Sequence, residues 1–347
     1  MNKKCINAEN IHKKRKKFKK LKYFFKKLLT NKFLRSIMST YSKNRLLYAV
    51  TYGGTENIMK KIISLMLAVA MICTLSISLA SCNDTQSNED IVKIVEVKLT
   101  DEEYAFVCKK GNTELTDSFN AFLAEIKENG TFDEIVAKYF EGKGTKIGYD
   151  VTTTDVVNSD DNLVVATNCP FEPFEYIGDD GKIYGLDIEI AAMYAQENGL
   201  TLVVKNIGFD DIFTQVEAGY ADIGMAGITV SEDRAAIYDF TTAYYKASQK
   251  LIVAAGNTDF DNCADAAAVE AVLASLEGKA IGYQNGTTGG MYVNGDADWG
   301  YEGFANIEGK GYATAQEALT DLINGNIYAV IVDEAPASAL VKAANND

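Results

Sequence analysis

The chain has 347 residues, 47% of them hydrophobic, and a formal net charge of −14, which suits globular domains and excludes a fully disordered chain. The charge is uneven: residues 1–82 carry 18 Lys and Arg against 2 acids, leaving 16 basic and 46 acidic residues over 83–347. The larger part therefore repels nucleic acid and anionic membranes. The only His is His12, and no Cys pair has ligand spacing, which excludes a zinc site and a His-based triad. No pattern calls for a cofactor. Beyond residue 82 the cysteines are Cys108, Cys169 and Cys263, an odd number without the spacing of a disulfide framework.

Residues 1–58 form a basic extension, densest over 13–27. Either Met59 is the true start, or the extension is a cytoplasmic basic segment. Met59-Lys60-Lys61 leads into an apolar stretch over 62–80 and then Leu79-Ala80-Ser81-Cys82. A short positive segment, an apolar core and small residues before a cut mark a secretory signal over 59–82. Its ending resembles a bacterial lipobox, which implies lipidation of Cys82 and a tether over 83–90. An uncleaved transmembrane helix is the alternative, since 19 apolar residues just span a bilayer. Either way the acidic part lies outside the cytoplasm, and the lipid reading anchors it to the outer face of the cell membrane.

Helix signals follow. Phe119, Phe122, Leu123 and Ile126 fall at i, i+3, i+4, i+7, with Gly130 as a stop. Thr131 and Glu134 have capping-box spacing for a helix burying Ile135, Val136, Tyr139 and Phe140. Further helices run from Asp187 to Gly199 and from Asp210 to Gly219. Thr314 and Glu317 cap one that carries Leu319, Leu322 and Ile323. Short apolar strands are predicted at 163–166, 202–204, 222–225, 251–255, 280–283 and 328–332. The alternation points to α/β units with largely parallel sheets. Residues 215–227 and 321–333 share one pattern at an offset of 106: helix end, Gly219 or Gly325, strand, then Gly227 or Asp333. Two lobes built alike would place Gly227 and Asp333 at equivalent strand ends, where open α/β sheets bind ligands. A chance likeness of two βα units gives the same pattern.

Arg234 is the only arginine beyond residue 82 and closes Gly227-Ile228-Thr229-Val230-Ser231-Glu232-Asp233-Arg234. A guanidinium grips a carboxylate through two parallel hydrogen bonds, although a lone Arg is more commonly a surface ion pair.

Taken in order, Asn168-Cys169-Pro170-Phe171-Glu172-Pro173-Phe174-Glu175-Tyr176, Gly185-Leu186-Asp187-Ile188-Glu189, Gly208-Phe209-Asp210, the 227–234 loop, Tyr238-Asp239-Phe240-Thr241, Gln284-Asn285-Gly286-Thr287-Thr288 and Val332-Asp333 resemble the amino-acid substrate-binding proteins of ABC transporters, extracellular solute-binding protein family 3. The resemblance covers 91–347. It implies an α/β, two-lobed, periplasmic-binding-protein-like fold of type II, with the ligand cleft between the lobes. Family members end with a strand and two helices. Here that ending comes first, over 91–145, so the resemblance reads as a circular permutation; the rival is a gene-fusion remnant. Lobe B would then combine 91–102 with 253–347, and lobe A would span 103–252 with a connector at 142–161. The crossings are expected near 101–103 and 251–255.

The resemblance also implies roles. Arg234 holds the ligand α-carboxylate with Thr229 and the Thr287 amide. Asp333, the Gly227 carbonyl and Thr229 hold the α-ammonium. Phe171 and Phe209 sandwich the side chain, and Asn168 touches it. Relatives that bind basic amino acids often carry Asp at the Asn168 position, so Asn points to a polar neutral ligand. The expected partners are a free amino acid, ABC permease subunits and, through the lipid, the membrane. An enzyme on the same fold, of the cyclic-acid dehydratase kind, would need a general acid, for which Glu334 is the candidate. A ligand-sensing subunit of a receptor is the third reading.

Overall fold

The computed structural model describes residues 90–152 and 159–346. The basic extension, the signal with Cys82 and nearly all of the tether lie outside them. Among the described residues no helix is long and apolar enough to cross a membrane.

The chain builds two five-stranded sheets. The first joins β1 (Val92–Val95), β11 (Gln249–Ala254), β14 (Ala329–Asp333), β12 (Lys279–Gln284) and β13 (Ile307–Tyr312), in that spatial order. The second runs β7 (Thr201–Asn206), β4 (Asn162–Thr167), β8 (Ile223–Gly224), β3 (Val107–Lys109), β9 (Tyr238–Phe240). Each contains both parallel and antiparallel pairs: β4 runs parallel to β7 and β8, and β12 parallel to β13 and β14, while β3 and β11 run antiparallel to their neighbours. The six predicted strands all appear, within a few residues of the expected ends.

Two passages connect the sheets, and they pair with each other. β2 (Glu102–Tyr104) follows β1 and precedes β3, and β10 (Tyr245–Ala247) follows β9 and precedes β11. β2 and β10 form an antiparallel ribbon, with Tyr245 opposite Tyr104 and Ala247 opposite Glu102. The first passage between the sheets runs through Glu102–Tyr104. The second precedes Gln249, since β11 is paired in the first sheet from its first residue.

Residues 91–145 serve both sheets. β1 is an edge strand of one, and β3 sits inside the other between β8 and β9. Helices α1 (Thr113–Glu128) and α2 (Thr131–Phe140) cover the second sheet. Phe119, Phe122, Leu123, Ile126, Ile135 and Tyr139 enter one core with Leu163, Val165, Ile190, Tyr194 and Ile223. Phe119 stacks on Tyr194 with centroids 3.7 Å apart, and the Tyr139 hydroxyl donates to Glu189 Oε2 at 2.8 Å. Burying such side chains contributes roughly 1.5–3 kcal/mol each.

One local expectation fails. Thr131 and Glu134 form no capping box: Gly130 takes the cap position at φ 84°, a left-handed conformation that suits glycine, and Thr131 becomes the first helical residue. Its N–H donates to Asn129 Oδ1 instead. In α8 (Ala315–Ile323), Leu319 and Leu322 are buried but Ile323 faces out. The Thr314 cap holds, since its hydroxyl accepts from the Glu317 N–H at 3.2 Å. The repeated pattern is also present: Gly219 and Gly325 both adopt left-handed φ, 75° and 72°, between a helix and a strand.

Candidate ligand site

A small cavity of about 20 Å3 lies between the two sheets. It is lined by all eight residues singled out in the sequence: Asn168, Phe171, Phe209, Gly227, Thr229, Arg234, Thr287 and Asp333. Glu175, Ala226, Gln284 and Thr288 line it as well.

Arg234 comes from the short helix α5 (Glu232–Ile237), capped by the Ser231 hydroxyl, which accepts from the Arg234 N–H. Its Nη1 donates to the Thr229 carbonyl at 2.8 Å and its Nη2 to the Gly286 carbonyl at 3.1 Å. The rings of Phe213, Trp299 and Phe209 lie 5.0, 5.2 and 5.8 Å from its Cζ. Among the described residues no carboxylate comes within ion-pair distance of it. Burial pulls its pKa down to about 10, against the pull of Glu102, Asp210 and Asp333.

Asp333 ends β14 and is buried. The Tyr104 hydroxyl donates to its Oδ1 at 2.5 Å. Loss of solvent, then the nearby Glu102 charge, raises its pKa from the ordinary carboxylate range. Glu102 went unnoticed in the sequence. It sits in the β2–β10 ribbon and accepts three hydroxyls, from Thr100 at 2.7 Å, Thr229 at 2.8 Å and Thr288 at 2.9 Å. The Thr229 hydroxyl is therefore engaged by Glu102 rather than free for a carboxylate.

Gly227 has φ 54°, and a Cβ there would stand 2.5 Å from the Phe171 ring; backbone, not side chain, faces the cavity at this point. Its N–H donates to Asp187 Oδ2 at 3.1 Å. Asn168 is committed on both sides: Nδ2 donates to the Ile207 carbonyl at 2.6 Å, and Oδ1 accepts from Gln284 Nε2 at 2.7 Å. The Thr287 hydroxyl donates to the Gln284 carbonyl at 2.8 Å. Glu334, the candidate general acid, does not line the cavity. It is exposed, accepts from Ser248 and lies 3.4 Å from Lys250. Among the described residues no group of His, Cys, Asp and Glu is arranged to hold a metal ion.

Glu175 and Gln284 stand inside motifs already quoted, so position could have found them; Glu102 had no signal beyond its segment. The arrangement offers a cation at Arg234 and a carboxylate at Asp333, with aromatic rings nearby, which suits a small zwitterion.

The model of bacterial extracellular solute-binding proteins, family 3, matches residues 11–142 and 163–338. The L-cystine-binding protein TcyJ of Escherichia coli (strain K12) is 25% identical over 224 residues, which is 65% of this chain and 78% of that protein. The ABC transporter arginine-binding protein 1 of the same organism is 28% identical over 172 residues, 50% of this chain and 63% of that protein. Among solved structures, an ancestral arginine-binding protein bound to arginine is 31% identical with a TM-score of 0.47, over 54% of this chain and 76% of the other. The chain belongs to the bacterial extracellular solute-binding proteins, family 3.

Proposed function

We propose that the protein captures one free amino acid with a polar side chain by closing its two lobes around it, and delivers it to an ABC importer without altering it. The observation that carries this reading is Arg234. The sole arginine of 83–347 sits in the cavity, and among the described residues its guanidinium is hydrogen-bonded only to two carbonyls. A partly desolvated guanidinium of this kind is completed by a carboxylate. Asp333 in the same cavity suits the α-ammonium. The relatives bind cystine and arginine, which supports an amino acid as the ligand class. The outward, ion-paired position of Glu334 disfavours the dehydratase-like alternative. Lipidation at Cys82 would tether the protein to the outer face of the membrane.

We further propose that 91–145 is the family's terminal segment moved to the front. The Asn345 side chain accepts from the N–H groups of Ile91 at 2.8 Å and Val92 at 3.2 Å, and donates to the Val92 carbonyl at 2.9 Å. The helix Glu334–Asn346 thus ends beside β1, where one short link would restore the ordinary order. A fused remnant would have no reason to supply an interior strand of the second sheet.

Native mass spectrometry of the protein incubated with amino acids tests the function. An unchanged ligand carried by the protein is expected. A converted product would replace this reading with the enzyme.

A further inference from the structure

Residues 295–303 form a loop between α7 (Thr288–Asn294) and β13, in the half of the protein built on the first sheet. Two glycines close its neck. Gly295 has φ 87° and Gly303 has φ 67°, and a Cβ on Gly303 would stand 2.3 Å from the Gly295 nitrogen, so only bare backbone lets the two sides meet. Above the neck, Asp296 and Tyr301 exchange backbone hydrogen bonds at 2.8 and 2.9 Å. The Asp296 carboxylate accepts from the Asp298 N–H at 3.1 Å. Rings carry the order inward: Trp299 stacks on Tyr301 at 6.4 Å, and Tyr301 meets the buried Tyr292 of α7 edge-on at 5.3 Å. This compact loop, with its ends together, takes its shape from its own half of the protein.

Its tip reaches across to the other half. The Trp299 ring lies 5.2 Å from the Arg234 Cζ, inside the roughly 6 Å range of a cation–π contact. Arg234 belongs to α5, and Phe213 of the helix α4 (Phe209–Ala218) stands 5.0 Å from the same atom. Trp299 does not line the cavity that Arg234 lines, so any effect on a bound molecule passes through Arg234. The same loop brings Asp296 and Asp298 toward Asp233 of α5: loss of solvent first, then the charges of Asp298 and Asp296, raise the Asp233 carboxyl pKa. Like charges oppose this approach, and the Trp299–Arg234 contact offsets the repulsion.

We propose that this loop is a preformed lid: Trp299 covers the Arg234 guanidinium when the two halves close, keeps water from it, and so sets how slowly a bound amino acid leaves. The proposal rests on the reading of Arg234 as the carboxylate anchor. Trp299 is a positioning residue here, since it touches the anchor and not the cavity. A shielded cation holds a carboxylate more strongly than a hydrated one. That gain exists only after closure, so it slows release and leaves capture alone.

The test compares the parent with Trp299→Ala and Trp299→Phe on the full chain, using as probe the tightest-binding of the twenty amino acids. Calorimetry gives the affinity, chasing the radiolabelled amino acid with unlabelled excess gives the release rate, and the two together give the capture rate. Trp299→Ala should release the probe at least about tenfold faster, with its capture rate within about threefold of the parent's. Trp299→Phe keeps an aromatic face and should recover most of the slow release. A smaller rise in Trp299→Ala, a loss of affinity carried by slower capture, or equally fast release from both variants overturns the proposal, and a merely structural role would give one of these. If Trp299→Ala does not fold, Trp299→Leu takes its place under the same criteria, because Leu fills space without a π face. Binding to the parent with unchanged release from the variants overturns the lid and leaves the anchor reading intact. Binding of no amino acid to the parent overturns both.

Discussion

The Gln284 side-chain amide donates to Asn168 Oδ1 at 2.7 Å, tying the end of β12 in one sheet to the residue after β4 in the other. Arg234 makes a second tie, to the Gly286 carbonyl. Both bonds cross the cavity, so the lobes are closed over it. A ligand that touches both sides favours this closed arrangement over an open one.

Gly286→Ala should therefore hinder closure. Gly286 has φ 74°, and an added methyl group would collide with the Asp210 carboxylate across the cleft. Left-handed backbone costs an alanine about 1–2 kcal/mol, and the collision adds to the closed state alone. Affinity should fall about tenfold or more. Small-angle scattering should show the parent shrinking with ligand while the variant does not. An equal contraction in both would contradict the closure geometry.

Trp299 reports the same motion. It is the only Trp of the chain, and its ring lies 5.2 Å from the Arg234 guanidinium. Its emission should shift when ligand closes an open population. Identical spectra with and without saturating ligand would mean that this contact does not change.

Stability should depend on pH through Asp187. Burial pushes its carboxyl up to about 7, from about 3.9 in an unfolded chain. Between these values the folded protein binds more protons than the unfolded one, so stability falls as pH rises. This contribution is fully present below about pH 4 and is lost as pH climbs through about 7. Denaturation of the parent and of Asp187→Asn at pH 5 and pH 8 checks the sign. The variant should gain on the parent at the higher pH, because its amide can still accept the Gly227 N–H without carrying charge. A parent that gains on the variant at pH 8 would contradict it.

Deleting 91–145 should unfold the second sheet's lobe, since β3 and the α1–α2 cover would be lost. Rebuilding the chain as 150–347 followed by 91–145 should restore folding and binding. Circular dichroism and a ligand titration read the result. A stable, ligand-binding 150–347 fragment would reduce the first segment to a remnant.

If Cys82 carries the proposed lipid anchor, Cys82→Ala should move the protein out of the membrane fraction, because the variant has no thiol there to acylate. Retention of the variant after alkaline washing would point to a transmembrane anchor instead.

Much of this was legible in the sequence, for particular reasons. Phe119, Phe122, Leu123 and Ile126 announce a helix because one face is apolar, and the structure buries that face. Arg234 stood out by scarcity, and it lines the cavity with the other seven singled-out residues. Glu102 was not legible: its three hydroxyl partners come from positions 100, 229 and 288, which only the folded ribbon brings together. Thr131 misled for a local reason. Its spacing to Glu134 fits a capping box, but Gly130 takes the left-handed turn first.

The most direct measurement is calorimetric titration of the twenty amino acids into the parent and into Arg234→Ala. At least one should bind the parent, and its affinity should drop roughly 30- to 5,000-fold in the variant, the cost of about 2–5 kcal/mol for removing one partner of a buried charge pair. Parental affinity in Arg234→Ala, or no binding of any amino acid to the parent, would contradict capture of an amino-acid carboxylate at this site.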